Sequence, residues 1–203
     1  MFVQVFHGAV TEPNEVRRAL DDWITRLAPG AEGWLGSTTG VTADGTFFGM
    51  ARFASAEAAQ RNSERAEQGE WWSATSKLFS GEVTFHDCSE VVEVRGGGAD
   101  EAGFVQVMQS TVTDAPRLME IGDVFEQRFP DFRPDLLGFV VAIHDGEDGA
   151  FSQVAYFSSE ADARAAESEE PPADVAKLLG EEMALIQDPV YVDLSEPWLH
   201  SPR

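Results

Sequence analysis

The chain has 203 residues, 43% of them apolar and 25% charged, the balance of an ordinary globular protein with room for one large domain or two small ones. Its 36 acidic against 14 basic residues leave a net charge of −22, which repels phosphate backbones and anionic headgroups and argues against nucleic acid and membrane surfaces as partners. No apolar run approaches the ~20 residues of a bilayer span, and Cys88, the one cysteine, excludes an intramolecular disulfide and a thiolate metal cluster.

The opening residues MFVQVFHG alternate in character and read as a strand over residues 2–7, not as a secretory signal. A helix follows, with Thr11 as N-cap candidate, a proline in its first turn, and Val16, Leu20, Trp23, Ile24 and Leu27 as an apolar stripe. Two strands joined at Asp44-Gly45 come next, then a helix capped by Ser55 and an amphipathic stretch carrying Trp71, Trp72, Leu78 and Phe79. A strand over residues 83–87 ends near Cys88, which reads as a small buried hydrophobe in the reducing cytoplasm, the expected location.

The pattern then repeats. FVQV at residues 2–5 returns at 104–107, and the copies keep a step of 102 through Trp23/Phe125 and Gly36/Gly138. The step becomes 104 through Asp44/Asp148 and Phe53/Phe157, and 106 at Asp87/Asp193, each change falling at an expected loop. Thr113-Asp114 opens the second copy's first helix, whose stripe is Leu118, Ile121, Phe125 and Phe129; Ser159 caps the next, and a strand over 190–194 closes the copy. The order β-α-β-β-α-β in each copy predicts an α+β chain of two tandem ferredoxin-like units, packed sheet to sheet as a pseudo-dimeric α+β barrel. Residues 1–95 form copy one, 96–103 a flexible glycine-rich linker, and 104–203 copy two with a C-terminal tail.

This element order, the opening FVQVFHGAVTEP and the helix SAEAAQRNSERAEQGEWW resemble the dimeric α+β barrel superfamily, the group of the antibiotic-biosynthesis monooxygenase-like domains. The resemblance implies a cofactor-free enzyme that oxygenates an aromatic or phenolic compound, whose own anion reacts with oxygen. It implies Asn62 and Trp71 or Trp72 as counterparts of the asparagine and tryptophan that hold the substrate. Haem-degrading members carry a histidine on the second helix after the tryptophan; here the stretch from Trp72 to Phe79 has none, which makes haem binding the weaker reading. A protein that binds a small molecule or a partner without turnover is the alternative.

The copies differ in polarity. Ser37-Thr38-Thr39-Gly40 stands against Phe139-Val140-Val141-Ala142, His7 against Gln109, and His86 against Val192, so copy one reads as the half with a site, or simply as the half with a wetter surface. Its cavity is expected to be lined from Gln4, Phe6, Thr38, Asn62, Trp71 and Trp72. The valines of the first strand are expected under the helices, with Gln4 and Gln106 pointing between the sheets, as cavity groups or as an amide pair. His7 and His86 are the candidate bases, His144 and His200 being placed at a turn and in a mobile tail. Arg52 would steady an anion or lie at an edge; one of Trp71 and Trp72 is expected in the core, the other at the cavity or a dimer contact. The histidines lack ligand spacing, and neither metal nor cofactor is expected. A small-molecule ligand, in a monomer or homodimer, completes the expectation.

Overall fold

The structure, a computed structural model, describes residues 1–202. The side chains of Glu126, Arg128, Phe129, Pro130 and Asp131 lie outside the description, and with them the place of Phe129 in the expected stripe. The chain runs β1 (Phe2–Ala9), α1 (Pro13–Arg26), β2 (Trp34–Val41), β3 (Thr46–Phe53), α2 (Ala56–Ser63), α3 (Ala66–Thr75), β4 (Thr84–Cys88) and β5 (Glu90–Val94). It continues through β6 (Phe104–Val112), α4 (Ala115–Phe132), β7 (Leu136–Ile143), β8 (Ala150–Phe157), α5 (Glu160–Glu167), α6 (Ala173–Leu185), β9 (Ile186–Leu194) and β10 (Trp198–His200). The antiparallel sheets follow one plan, β10-β2-β3-β1-β4 and β5-β7-β8-β6-β9.

Each sheet has a fifth strand beyond the four expected, and it comes from the other half of the chain. The compact units are Met1–Ser89 with Glu196–Arg203, and Glu90–Ser195, so the division falls before residue 95 and not at the linker. Ser89 alone separates β4 from β5; a hairpin back into the same sheet needs about two loop residues, so the chain runs on to pair with β7. The C-terminal residues pair Trp198 with Thr39 and His200 with Ser37, which makes the supposed mobile tail an edge strand of the first unit. The glycine-rich segment is likewise held down. Ala99 and Ala102 are buried and Arg95 Nη1 donates to the Leu136 carbonyl at 2.6 Å. A Cβ on Gly138 would sit 2.4 Å from the Gly97 carbonyl oxygen, so the close approach of the two backbones requires glycine.

The helices begin where the sequence marks them. Ser55 Oγ accepts from the Ala58 N–H at 3.2 Å and Ser159 Oγ from Asp162 at 3.1 Å, each satisfying a free donor of a first turn. In α4 Asp114 takes that role toward Arg117. In α1 the cap position falls on Glu12 rather than Thr11, with Pro13 opening the helix and no side chain bonded to the first turn. Gly45 turns the β2–β3 hairpin at φ 87°. Cys88 is fully buried at the end of β4. Among the described residues no helix is long and apolar enough to cross a membrane.

Strand parity reverses one expectation. Phe2, Gln4 and Phe6 share the face that carries Phe53, Ala51 and Gly49 of β3, and this is the helix-covered face, since Phe2 and Phe53 pack with Trp23 and Leu27 of α1. Val3 and Val5 point the other way and are fully buried there. The aromatic rings, larger than valine, fill the deeper space between sheet and helices and bring the glutamine with them. The second unit repeats this, with Phe104 and Phe157 clustered with Leu118, Ile121 and Phe125 of α4.

Candidate functional site

On its helix-covered face the first unit encloses a cavity of about 300 Å³, lined from β1, β2, β3, β4, β10 and the three helices. An aromatic wall runs through it. Trp23 meets Trp34 edge-on with centroids 5.2 Å apart, Trp71 and Trp72 lie 6.0 Å apart, and Phe85 of β4 packs on Trp72 at 5.2 Å and on Phe6 at 5.5 Å. Both adjacent tryptophans line the cavity, neither being core, because 100° of helical rotation still leaves two bulky indoles on the borders of one broad face. Trp71 Nε1 donates to the Ala19 carbonyl at 2.9 Å, which anchors α3 on α1.

The polar groups are oriented by partners of fixed chemistry. Arg65 Nη1 donates to Asn62 at 3.0 Å; a guanidinium only donates, so Asn62 meets it with Oδ1 and keeps its NH2 for the cavity. Trp23 Nε1 donates to Gln68 Oε1 at 2.6 Å, which leaves the NH2 of Gln68 in the same way. Gln4 is turned oppositely: its Nε2 donates to Asp87 Oδ1 at 2.9 Å across the β1–β4 pair, and its carbonyl remains as an acceptor. Gln106 makes the matching bond to Asp193 at 3.0 Å. Each glutamine thus bonds to an aspartate of its own sheet, in place of an amide pair. Trp34 is 6% exposed and its indole N–H has no hydrogen-bond partner among the described residues.

The cavity draws together Gln4, Phe6, Asn62, Trp71 and Trp72, and leaves Thr38 out. A β-bulge between Trp34 and Gly36 shifts the parity of β2, so Trp34, Ser37 and Thr39 share the lining face while Thr38 is buried on the other. His7 and His86 stack on each other at 5.3 Å, on strand positions that alternate with the lining residues Phe6 and Phe85, and so lie on the opposite face. Arg52 alternates with the lining residues Ala51 and Phe53; it is 6% exposed on that opposite face, neither an edge residue nor a cavity cation. The histidine at the cavity is His200, with Nε2 3.7 Å from Asp21 Oδ1 of α1.

The second unit also has a cavity, of about 320 Å³, at the matching place. Gln106, Phe125, Leu136, Ala155 and Phe157 line it where Gln4, Trp23, Trp34, Ala51 and Phe53 line the first. Copy two is therefore not solid scaffold, and Pro171, from the proline-rich stretch, is part of its wall. Glu182 of α6 also lines it; burial raises its carboxyl from 4.5 to about 7.

No family model and no curated protein matches this sequence. Among solved structures the chain is similar over 98% of its length to a candidate monooxygenase from Lactobacillus acidophilus NCFM, at TM-score 0.78 and 10% identity with 95% of that chain covered. A candidate monooxygenase from Fusobacterium nucleatum subsp. nucleatum matches at 0.74 and 8% identity, over 98% of this chain and 94% of that one. An anthrone oxidase-like protein matches at 0.59 and 14% identity, over 98% and 93%. The chain has the fold of these proteins, two tandem ferredoxin-like α+β units, each a five-stranded antiparallel sheet with helices.

Proposed function

We propose that the first unit binds a planar aromatic compound bearing a phenolic or keto oxygen and oxygenates it with dioxygen, the substrate anion supplying the electrons. The observation that carries this reading is the pairing of an indole wall with oriented amides in one cavity. Indole faces suit stacking on a flat ring. The NH2 groups of Asn62 and Gln68 suit an oxygen that gains negative charge, and the Gln4 carbonyl suits a hydroxyl. His200, the one titratable side chain among the described lining residues, takes the substrate proton.

For an anthrone-like ketone the chemistry balances as follows. His200 removes a proton from the ring CH2, and the charge moves onto the oxygen held by the amides. The anion passes one electron to dioxygen, and the radical pair joins as a C–O bond. Protonation gives a hydroperoxide, which loses water to leave C=O. One CH2 and one O2 become one carbonyl and one water. The similarity to an anthrone oxidase-like protein supports this substrate class. The alternative, binding without turnover, is favoured by the presence of a single titratable group among the described lining residues.

Oxygen uptake with anthrone, corrected for its spontaneous oxidation, tests the reading together with tryptophan fluorescence under anaerobic conditions. The expected result is saturable quenching, one O2 consumed per anthrone, and a kcat at least ~10-fold lower in His200→Ala. Quenching without oxygen uptake selects the binding reading, and no quenching by anthrone or 1-naphthol removes both.

A further inference from the structure

We propose that the second unit's cavity is a separate binding site for an organic cation, a protonated amine carried on an apolar or aromatic body. Its walls include the rings of Phe125, Phe132, Phe139 and Phe157, and among its charged lining residues three carboxyls, of Glu167, Glu169 and Glu182, stand against the one guanidinium of Arg133. Glu182 is 8% exposed, lies on the sheet-facing side of α6, and has no hydrogen-bond or ion-pair partner among the described residues. Gln153 of β8 lines the same space with a buried Oε1 that has no hydrogen-bond partner among the described residues. A carboxyl and a carbonyl left unsatisfied inside an aromatic pocket are destabilising unless a donor arrives to meet them. An ammonium group supplies those donors, and phenyl faces attract it further.

The surrounding charges agree. Arg133 lines the cavity, but Asp135 holds it through two hydrogen bonds of 2.9 and 2.7 Å, so it does not neutralise Glu182. Arg117 of α4 is taken by Glu120 and by Glu181, the neighbour of Glu182 on α6. Glu167 and Glu169 add carboxylates to the lining, Gln106 of β6 is bonded to Asp193, and the chain as a whole carries −22. Arg133 is the one basic side chain among the described lining residues and is already paired, so the carboxyls of Glu167, Glu169 and Glu182 leave the cavity with an excess of negative charge that favours a cation over an anion. With the Glu182 carboxyl raised to about 7, cation binding near pH 6 must displace a proton, and binding at pH 8.5 must not.

Calorimetric titration of the full chain with 2-phenylethylammonium tests this at pH 8, beside 2-phenylethanol and 3-phenylpropionate of similar shape. The expected result is saturable one-to-one binding of the amine, about tenfold or more weaker in Glu182→Gln, weak binding of the alcohol and none of the acid. Repeating the parent titration at pH 6 in two buffers of different ionisation enthalpy should show proton release that vanishes at pH 8.5. All five tryptophans belong to the first unit, so their fluorescence should stay constant, which separates this site from the one proposed above. Equal binding of amine and alcohol, unchanged affinity in Glu182→Gln, or no proton release at pH 6 would each overturn the proposal.

Discussion

At matching points of the two units, Ser37 answers Phe139, Trp23 answers Phe125, and the Phe6–Gly49 contact answers Met108 and Gln153. The frame beneath is shared: the same strand order, the same capping serines, and the same glutamine-to-aspartate bond across the central strands. The first unit lines its space with indoles and amide donors, while the second lines its own with phenyl rings, the buried Glu182 carboxyl and the Gln153 Oε1. Duplication has preserved a cavity in each unit and changed the sign of what it offers. A loss of polarity on one strand is therefore poor evidence that a site is gone.

The largest effect falls on the acceptor cavity. The Glu182 carboxyl is raised from 4.5 in the unfolded chain to about 7, so the native state holds its proton longer. Stability from this group is fully present below pH 4.5 and is lost as the pH rises through about 7, by roughly 3 kcal/mol at 1.36 kcal/mol per unit. Urea midpoints from pH 4.5 to 8 should show this decline in the parent and not in Glu182→Gln. Parallel curves for the two proteins would mean that the carboxyl is solvated.

Next in size is the exchange of one unit's filling for the other's. A Cβ on Gly49 would stand 2.5 Å from the Phe6 ring. Gly49→Gln should destabilise by roughly 1–3 kcal/mol through overpacking. Adding Phe6→Met, which reproduces the Met108 and Gln153 combination, should recover most of that loss. Additive destabilisation in the double variant would break the equivalence of the two frames.

Smaller again is the anchoring of α3. Trp71→Phe removes the hydrogen bond to the Ala19 carbonyl and should lower stability by about 1 kcal/mol. Trp72→Phe, at the ring face shared with Phe85 and Phe79, should change stability less and ligand-induced quenching more. The reverse ranking would exchange the roles of the two indoles.

The repeat, the element order and the serine caps were legible because each is local: a period of two or of 3.6, a turn residue, a hydroxyl before a helix. Gln4, Phe6, Asn62 and the two tryptophans could be named for similar reasons, as polar or aromatic groups on regular elements. What escaped is non-local. His200 reaches the cavity only because residues 198–200 pair with a strand some 160 positions earlier, as the Thr39–Trp198 separation of 159 shows. Thr38 and Ser37 exchange faces through a bulge that no residue type announces. His7 and His86 look like bases in sequence, but strand parity sends them away from the lining. Glu182 follows Glu181 in a chain rich in acids, and only the packing of α6 distinguishes the buried one from its neighbour.

The central claim is that the first unit's cavity receives a flat oxygen-bearing ring on its indoles and amides. Anaerobic titration of the parent and Asn62→Ala with 1-naphthol, read by tryptophan fluorescence, tests it most directly. Saturable quenching in the parent is the predicted result, with affinity about 10-fold weaker in Asn62→Ala, as suits loss of one hydrogen bond to an oxygen carrying charge. Absence of saturable quenching in the parent, or equal affinity in the two proteins, would contradict it.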